Sequence, residues 1–150
     1  MALNISDEYV IGFVEGEGCF YIGIVPSSDT HQKKQVIYFF KVAQNPSGKV
    51  VLDYIKKRLG CGYIKPNDRN DSSDRSLAFV VRDLKSLTQL VIPFFDGKLI
   101  IKRNNFNKFK KVVEMVNEKK HLTEKGMNEI IDIAYSMNKR KRKIRKTRNY

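Results

Sequence analysis

Between Asp7 and Val14 the apolar positions Tyr9, Val10, Ile11, Phe13 and Val14 leave little room for a polar face. The pattern predicts a short, nearly all-buried helix that Ser6 or Asn4 can cap. The period then changes. CFYIGIV (19–25) and QVIYFFKV (35–42) are rich in β-branched and aromatic residues and read as strands joined by the polar PSSDTHQKK. On strand one, Phe20, Ile22 and Ile24 form one apolar face and Tyr21, Gly23 and Val25 the other. On strand two, Val36, Tyr38, Phe40 and Val42 fall inside, with Gln35, Ile37, Phe39 and Lys41 outside.

Asn45 and Pro46 then offer a cap and first turn for a helix that places Val51, Leu52, Ile55 and Leu59 on one side and closes at Gly60. CGYIK (61–65) and SLAFVV (76–81) predict two more strands around the loop PNDRNDSSDR, and DLKSLTQLV a short helix stopped before Pro93. The expected order is αββαββα, an α+β fold. Beyond Lys98 the chain turns helical and basic, over roughly 104–119 and then 123–137, the second helix capped by Thr123. One domain over 1–138 and a basic tail over 139–150 follow, the tail holding eight Lys and Arg and no acid.

With 150 residues, 41% of them apolar, one core is affordable and two are not. The 29 Lys and Arg against 16 Asp and Glu give a net charge of +13, which calls for a polyanionic partner. No apolar run approaches the roughly 20 residues that cross a bilayer, so no membrane role is expected. The N-terminus has neither the basic-then-apolar order of an export signal nor the Arg-rich character of a transit peptide. Cys19 and Cys61 form no CxxC and read as buried free thiols in an intracellular, reducing compartment.

The charge makes IGFVEGEGCF (11–20) anomalous, because Glu15 and Glu17 sit among three glycines at the end of the first helix, and residues 1–32 contain no Lys or Arg. A phosphate-binding glycine loop does not fit: GxGxxG is absent and carboxylates repel phosphate. An ordinary glycine-capped helix end is the simplest alternative. Carboxylates at a helix C-terminus are nevertheless unfavourable by about 0.3–1 kcal/mol each unless a cation is near. Gly12 and Gly16, one turn apart, clear a stripe on which a second helix could pack closely, and a helix pair bringing one carboxylate from each partner would hold a divalent ion. Residues two apart diverge, so one of the two glutamates could bind a metal while the other turns to a neighbouring basic group.

The stretch from Val10 to Gly18 resembles the motif that names the LAGLIDADG homing endonucleases, with Glu in both acidic slots. The αββαββα order, Gly62-Tyr63, the LTQL…PF of Leu87 to Phe94 and the C-terminal helices extend the resemblance over nearly the whole chain. The resemblance implies an antiparallel sheet that sits on DNA as a saddle. It implies a site-specific, intron-encoded nuclease that makes a staggered double-strand break in a long, near-palindromic target. Glu17 and the Gly16 carbonyl would bind Mg²⁺, for which Mn²⁺ or Ca²⁺ can substitute in binding. Gln44 would orient solvent and Lys98 would approach the transition-state charge. A basic residue that some members carry after Gln44 falls here at Gly48, beside Lys49.

One motif per chain implies a homodimer joined through Gly12, Phe13 and Gly16. For DNA contact the resemblance singles out Tyr21, Gln35, Ile37, Phe39 and Lys41 on the first hairpin, where Phe39 fits a core edge equally well. On the second hairpin it singles out Tyr63, Lys65, Asn67, Arg69 and Arg75. The tail, beginning Lys139, Arg140, Lys141, would grip phosphate, as would Lys102 and Arg103. The alternative is an intron RNA maturase, a non-catalytic RNA binder on the same scaffold. Organelle, phage and archaeal origins are not distinguished.

Overall fold

A computed structural model describes residues 4–138. Its elements are α1 (Asp7–Glu17), β1 (Gly18–Pro26), β2 (Lys34–Gln44), α2 (Lys49–Leu59), β3 (Tyr63–Pro66), β4 (Leu77–Val81), α3 (Leu84–Ser86), α4 (Ile92–Phe95), α5 (Arg103–Asn117) and α6 (Glu124–Met137). The αββαββα order is as the sequence predicts. The strands form one antiparallel sheet in the order β1-β2-β4-β3, which places β2 and β4 at its centre.

Strand alternation decides what each face of the sheet meets. Phe20, Ile22, Phe40, Val42, Phe79 and Val81 point to the inner face, where helices cover them and all are buried. Phe20 is the hub: its ring lies 5.0 Å from that of Phe40, 5.1 Å from Phe106 and 5.7 Å from Phe95. Edge-to-face and offset pairs of this kind add about 0.5–1.5 kcal/mol each beyond burial. Leu52 and Ile55 of α2, Phe109 and Val113 of α5 and Ile130 of α6 complete the core. No described helix is long and apolar enough to cross a membrane.

Local signals account for most boundaries. Ser6 Oγ accepts from the Tyr9 N–H at 3.1 Å, Thr123 Oγ1 from the Gly126 N–H at 3.0 Å, and Gly60 closes α2 with φ +74°. Four expectations are corrected. Asn45 caps nothing by its side chain, because a 3₁₀ turn, Pro46–Gly48, intervenes before α2. Pro93 does not stop its helix: a π turn over Leu87–Val91 passes the Ile92 N–H back to the Leu87 carbonyl, and the helical path continues through α4. Helix α1 is not nearly all buried, since only Val10 and Val14 are, while Tyr9 is 50% exposed and Gly12 and Gly16 are exposed. One side of α1 packs on β1 and β2, and on the other a Cβ added at Gly12 or Gly16 would meet no described residue within 4 Å. Finally, Cys19 is exposed, because it shares the outer face with Tyr21, and Cys61 is only partly buried.

Candidate active site and nucleic-acid interface

Helix α1 passes into β1 without a loop. The Gly18 N–H caps the helix on the Val14 carbonyl, and a Cβ at Gly18 would lie 2.6 Å from Val14 Cγ1 and 2.9 Å from its carbonyl oxygen. Only glycine allows so direct a junction, and the junction fixes where the two glutamates project. The Glu15 carboxylate accepts three backbone N–H groups: that of Ile100, that of Ile101 at 2.9 Å and that of Lys102 at 3.1 Å. These donors lead into α5, whose N-cap is Lys102. The negative end of α1 and the positive end of α5 thus meet across one carboxylate, which relieves the penalty expected for an acid there. The partners of Glu15 are backbone N–H groups rather than the basic side chain expected.

Glu17 stands two residues on, exposed, with no hydrogen bond or ion pair to any described residue. It and the Gly16 carbonyl are oxygen donors at a helix end that bears partial negative charge. No group of three His, Cys, Asp or Glu side chains suited to a metal occurs among the described residues. A cation here would therefore draw most of its ligands from outside the protomer, an oxygen-donor set suited to Mg²⁺, which keeps several waters.

The sheet register brings Gln44 to the same end. Gly18 pairs with Val42, so the close of β2 lies beside the close of α1. The Gln44 side chain leans on Gly48, where a Cβ would come within 2.7 Å of Oε1 and 2.9 Å of Gln44 Cβ. A side chain at position 48 is thereby excluded while Gln44 holds this pose. Lys49 does not replace it, because its ammonium pairs with Asp53 at 2.8 Å. Lys98 is not joined to Glu17. Its ammonium lies 5.3 Å from the centroid of Phe94, whose ring also carries the Arg58 guanidinium at 5.0 Å. Arg58, hydrogen-bonded to Asp7 at 2.7 Å, holds the Asp7 carboxyl below its usual range, and Lys98 adds to that.

None of the described helices covers the outer face of the sheet. Tyr21 and Phe39 pair across β1 and β2 and stack with centroids 4.7 Å apart and planes 18° from parallel. Tyr21 lies flat over Gly23, where a Cβ would fall 2.5 Å from the phenolic oxygen. Lys41, Tyr63 and Lys65 share this face through the pairs Lys41↔Val80, Tyr63↔Val80 and Lys65↔Ala78. Gln35 is exposed near the hairpin turn, and Ile37, opposite Gly23, is half-buried. Partial burial, and then the nearby Arg82, Arg69 and Lys41 charges, push the Lys65 ammonium below its usual pKa.

The acids in the β3–β4 loop do not offset this charge freely, because each is occupied in a turn. Asp68 accepts from the Asn70 N–H at 2.9 Å, Asp71 from Ser73 at 3.0 Å and Asp74 from Ser76 at 2.8 Å. Asn67 is also held in this loop: its N–H donates to the Ser76 carbonyl at 2.9 Å and its side chain supports Asp74. Arg69 and Arg75 are exposed on it. Lys139, Arg140 and Lys141 lie outside the described residues. Arg82 escapes the sequence reading, although the alternation of SLAFVVR places it on the face of Ala78 and Val80.

A fold with one bare, basic sheet face and a free carboxylate at a glycine-thinned helix end has close counterparts. The family model described as LAGLIDADG endonuclease matches residues 10–113, and the chain belongs to that family. It is 31% identical over 117 residues to the DNA endonuclease I-CreI of Chlamydomonas reinhardtii, covering 78% of this chain and 68% of that one. It is 32% identical over 131 residues to a probable intron-encoded endonuclease 2 of Neurospora crassa, covering 86% of this chain but 26% of that protein. The chain thus spans about a quarter of the length of the first curated relatives it matches. Among solved structures, the homing endonuclease I-TnaI superposes with TM-score 0.81 at 31% identity, covering 91% of this chain and 90% of that one. The homing endonuclease I-LtrWI, bound to its target DNA, gives TM-score 0.84 at 33% identity, covering 92% of this chain and 46% of that one.

Proposed function

We propose that this chain is a homodimeric, site-specific DNA endonuclease that hydrolyses one phosphodiester bond per protomer, making a staggered double-strand break in a long, near-palindromic site. The observation that carries the reading is the unequal state of the two motif carboxylates: Glu15 accepts three backbone N–H groups, and Glu17 makes no hydrogen bond or ion pair to a described residue. A carboxylate left unpartnered at the negative end of a helix is unfavourable for the protein alone and favourable once a cation arrives. Glu17 and the Gly16 carbonyl would hold Mg²⁺, with Mn²⁺ or Ca²⁺ able to take its place in binding. Glu17 and Gly16 would place such an ion where it would supply charge neutralisation at a scissile phosphate and a lowered pKa for an attacking water.

The chain's own groups supply the rest. Gln44, at the same end of the sheet, orients solvent. Lys98 reaches the transition-state charge by leaving the Phe94 ring, a move that costs it one cation–π contact. The stripe at Gly12 and Gly16, where an added Cβ would touch nothing within 4 Å, admits the α1 helix of a second copy, with Phe13 at its margin. The outer sheet face, with Tyr21, Lys41, Tyr63 and Lys65, takes the duplex.

The test is Glu17→Gln against wild type on a plasmid carrying the intronless host gene, with Mg²⁺. The expected result is cutting by wild type, and binding without cutting by the variant. Full cleavage by Glu17→Gln would reject the mechanism. Tight binding of intron RNA by a wild-type chain that cuts no DNA would establish the maturase reading instead.

A further inference from the structure

The outer face carries one arginine whose surroundings single it out. The Arg82 guanidinium lies 5.1 Å above the Phe39 ring, and Phe39 is itself stacked on Tyr21. Val81 pairs with Phe40, so Arg82 follows directly beside Phe39, and the three side chains form a row across β1, β2 and the end of β4. Arg82 is exposed and makes no hydrogen bond or ion pair to any described residue. Its neighbour Asp83 is spent as the cap of α3, accepting from the Ser86 N–H at 2.9 Å.

We infer that Arg82 is a specificity-determining residue that reads a guanine in the major groove of each half-site, with Phe39 as its positioning residue. The inference rests on the DNA-cleaving reading above. A guanidinium stacked on an aromatic plane keeps its in-plane donors free and loses little rotamer freedom when they are used. It only donates, so it matches the two acceptors of guanine, O6 and N7, and not the mixed donor and acceptor edge of adenine. Its location separates base from phosphate. Arg82 lies over Phe39 of β2 and follows the end of β4, the two central strands, which would face the groove floor of a duplex laid on the sheet. Lys65 on the edge strand β3 and Arg69 in the adjoining loop are placed for the phosphate rim. Arg82, Arg69 and Lys41 all act on the Lys65 charge, so the positive field on this part of the face favours an acceptor from outside the protomer.

The experiment is selection of bound sites from a randomised half-site library by the full chain in Ca²⁺, comparing wild type with Arg82→Ala, Arg82→Lys and Phe39→Leu. Wild type is expected to select guanine at one position per half-site. Arg82→Ala should lower that preference by about 5- to 150-fold, the value of one bidentate pair, and leave other positions intact. Arg82→Lys should fail to restore it, and Phe39→Leu should weaken the same position partially. Circular dichroism controls for folding. A uniform loss of affinity with an unchanged profile would make Arg82 a phosphate contact and overturn the inference, as would an unchanged profile at unchanged affinity. A wild-type chain that selects no duplex site overturns the nuclease reading and this one with it.

Discussion

Glu15 and Glu17 leave the same turn of the same helix with the same chemistry, yet one accepts three backbone N–H groups and the other makes no hydrogen bond or ion pair to a described residue. Both begin with the same electrostatic handicap, a carboxylate beside the negative end of a helix. The fold removes it for Glu15 by aiming the start of α5 at that side chain. For Glu17 it leaves the handicap in place. Under the proposed function that correction comes from a bound cation, and this separates the two otherwise identical residues more sharply than burial does.

The largest expected effect tests the free member of the pair. Glu17→Gln should reduce cleavage by about 100-fold or more, the scale for loss of a group aimed at developing charge. It should leave the urea midpoint unchanged or slightly raised, because one unfavourable charge is gone. A marked loss of stability would mean that Glu17 has a structural partner after all. Glu15→Ala should do the reverse, costing about 1.5–3 kcal/mol in urea unfolding as charge-assisted bonds are lost and backbone donors are left unpaired. A cost under about 0.5 kcal/mol, ordinary for a surface site, would dissolve the contrast.

Gly12→Leu addresses the bare side of the same helix. Leucine is the better helix former by about 0.5–1 kcal/mol, and its Cβ meets nothing within the protomer, so the isolated fold should gain stability while sedimentation reports monomers. Persistent dimers would place the interface elsewhere. The smallest effect concerns Asp7, at the opposite, positive end of α1, whose pKa Arg58 lowers. A depressed carboxylate contributes stability that is complete above its unfolded pKa of about 3.9 and is lost as pH falls through the folded value. Between pH 5 and 8 the Asp7 pair should therefore leave stability flat. Below pH 4 the urea midpoint should fall, and by less in Arg58→Ala. An equal fall in both proteins would show that the pair is not responsible.

What could be read from the sequence was local. Ser6, Thr123 and Gly60 announce their caps because a cap is satisfied within three or four residues. The inner strand faces follow from a period of two. The Glu15 partners could not be foreseen, since backbone N–H groups 85 to 87 residues away carry no side-chain signature. Pro93 misled because the π turn before it reroutes the hydrogen bonds that a proline would otherwise break. Cys19 and Arg82 were legible in principle: alternation places both on the outer face, where a preference for burying thiols and a strand ending at Val81 drew attention away. The unpartnered state of Glu17 among the described residues had to be seen in three dimensions, because the chemistry of EGEG, apart from its family resemblance, does not tell its two acids apart.

The Glu15 contact also has a consequence in time. It closes a chain segment of 85 residues or more, so it forms only after everything through Lys102 has left the ribosome. Contacts of such separation form late, after local hairpins and helices have organised. Until then the end of α1 carries two uncompensated acids and should fray. The end of α1 is thus among the last parts to set, and a product truncated before Ile100 would lose the backbone donors that hold Glu15 together with Phe106, Phe109 and Ile130, which pack under the sheet.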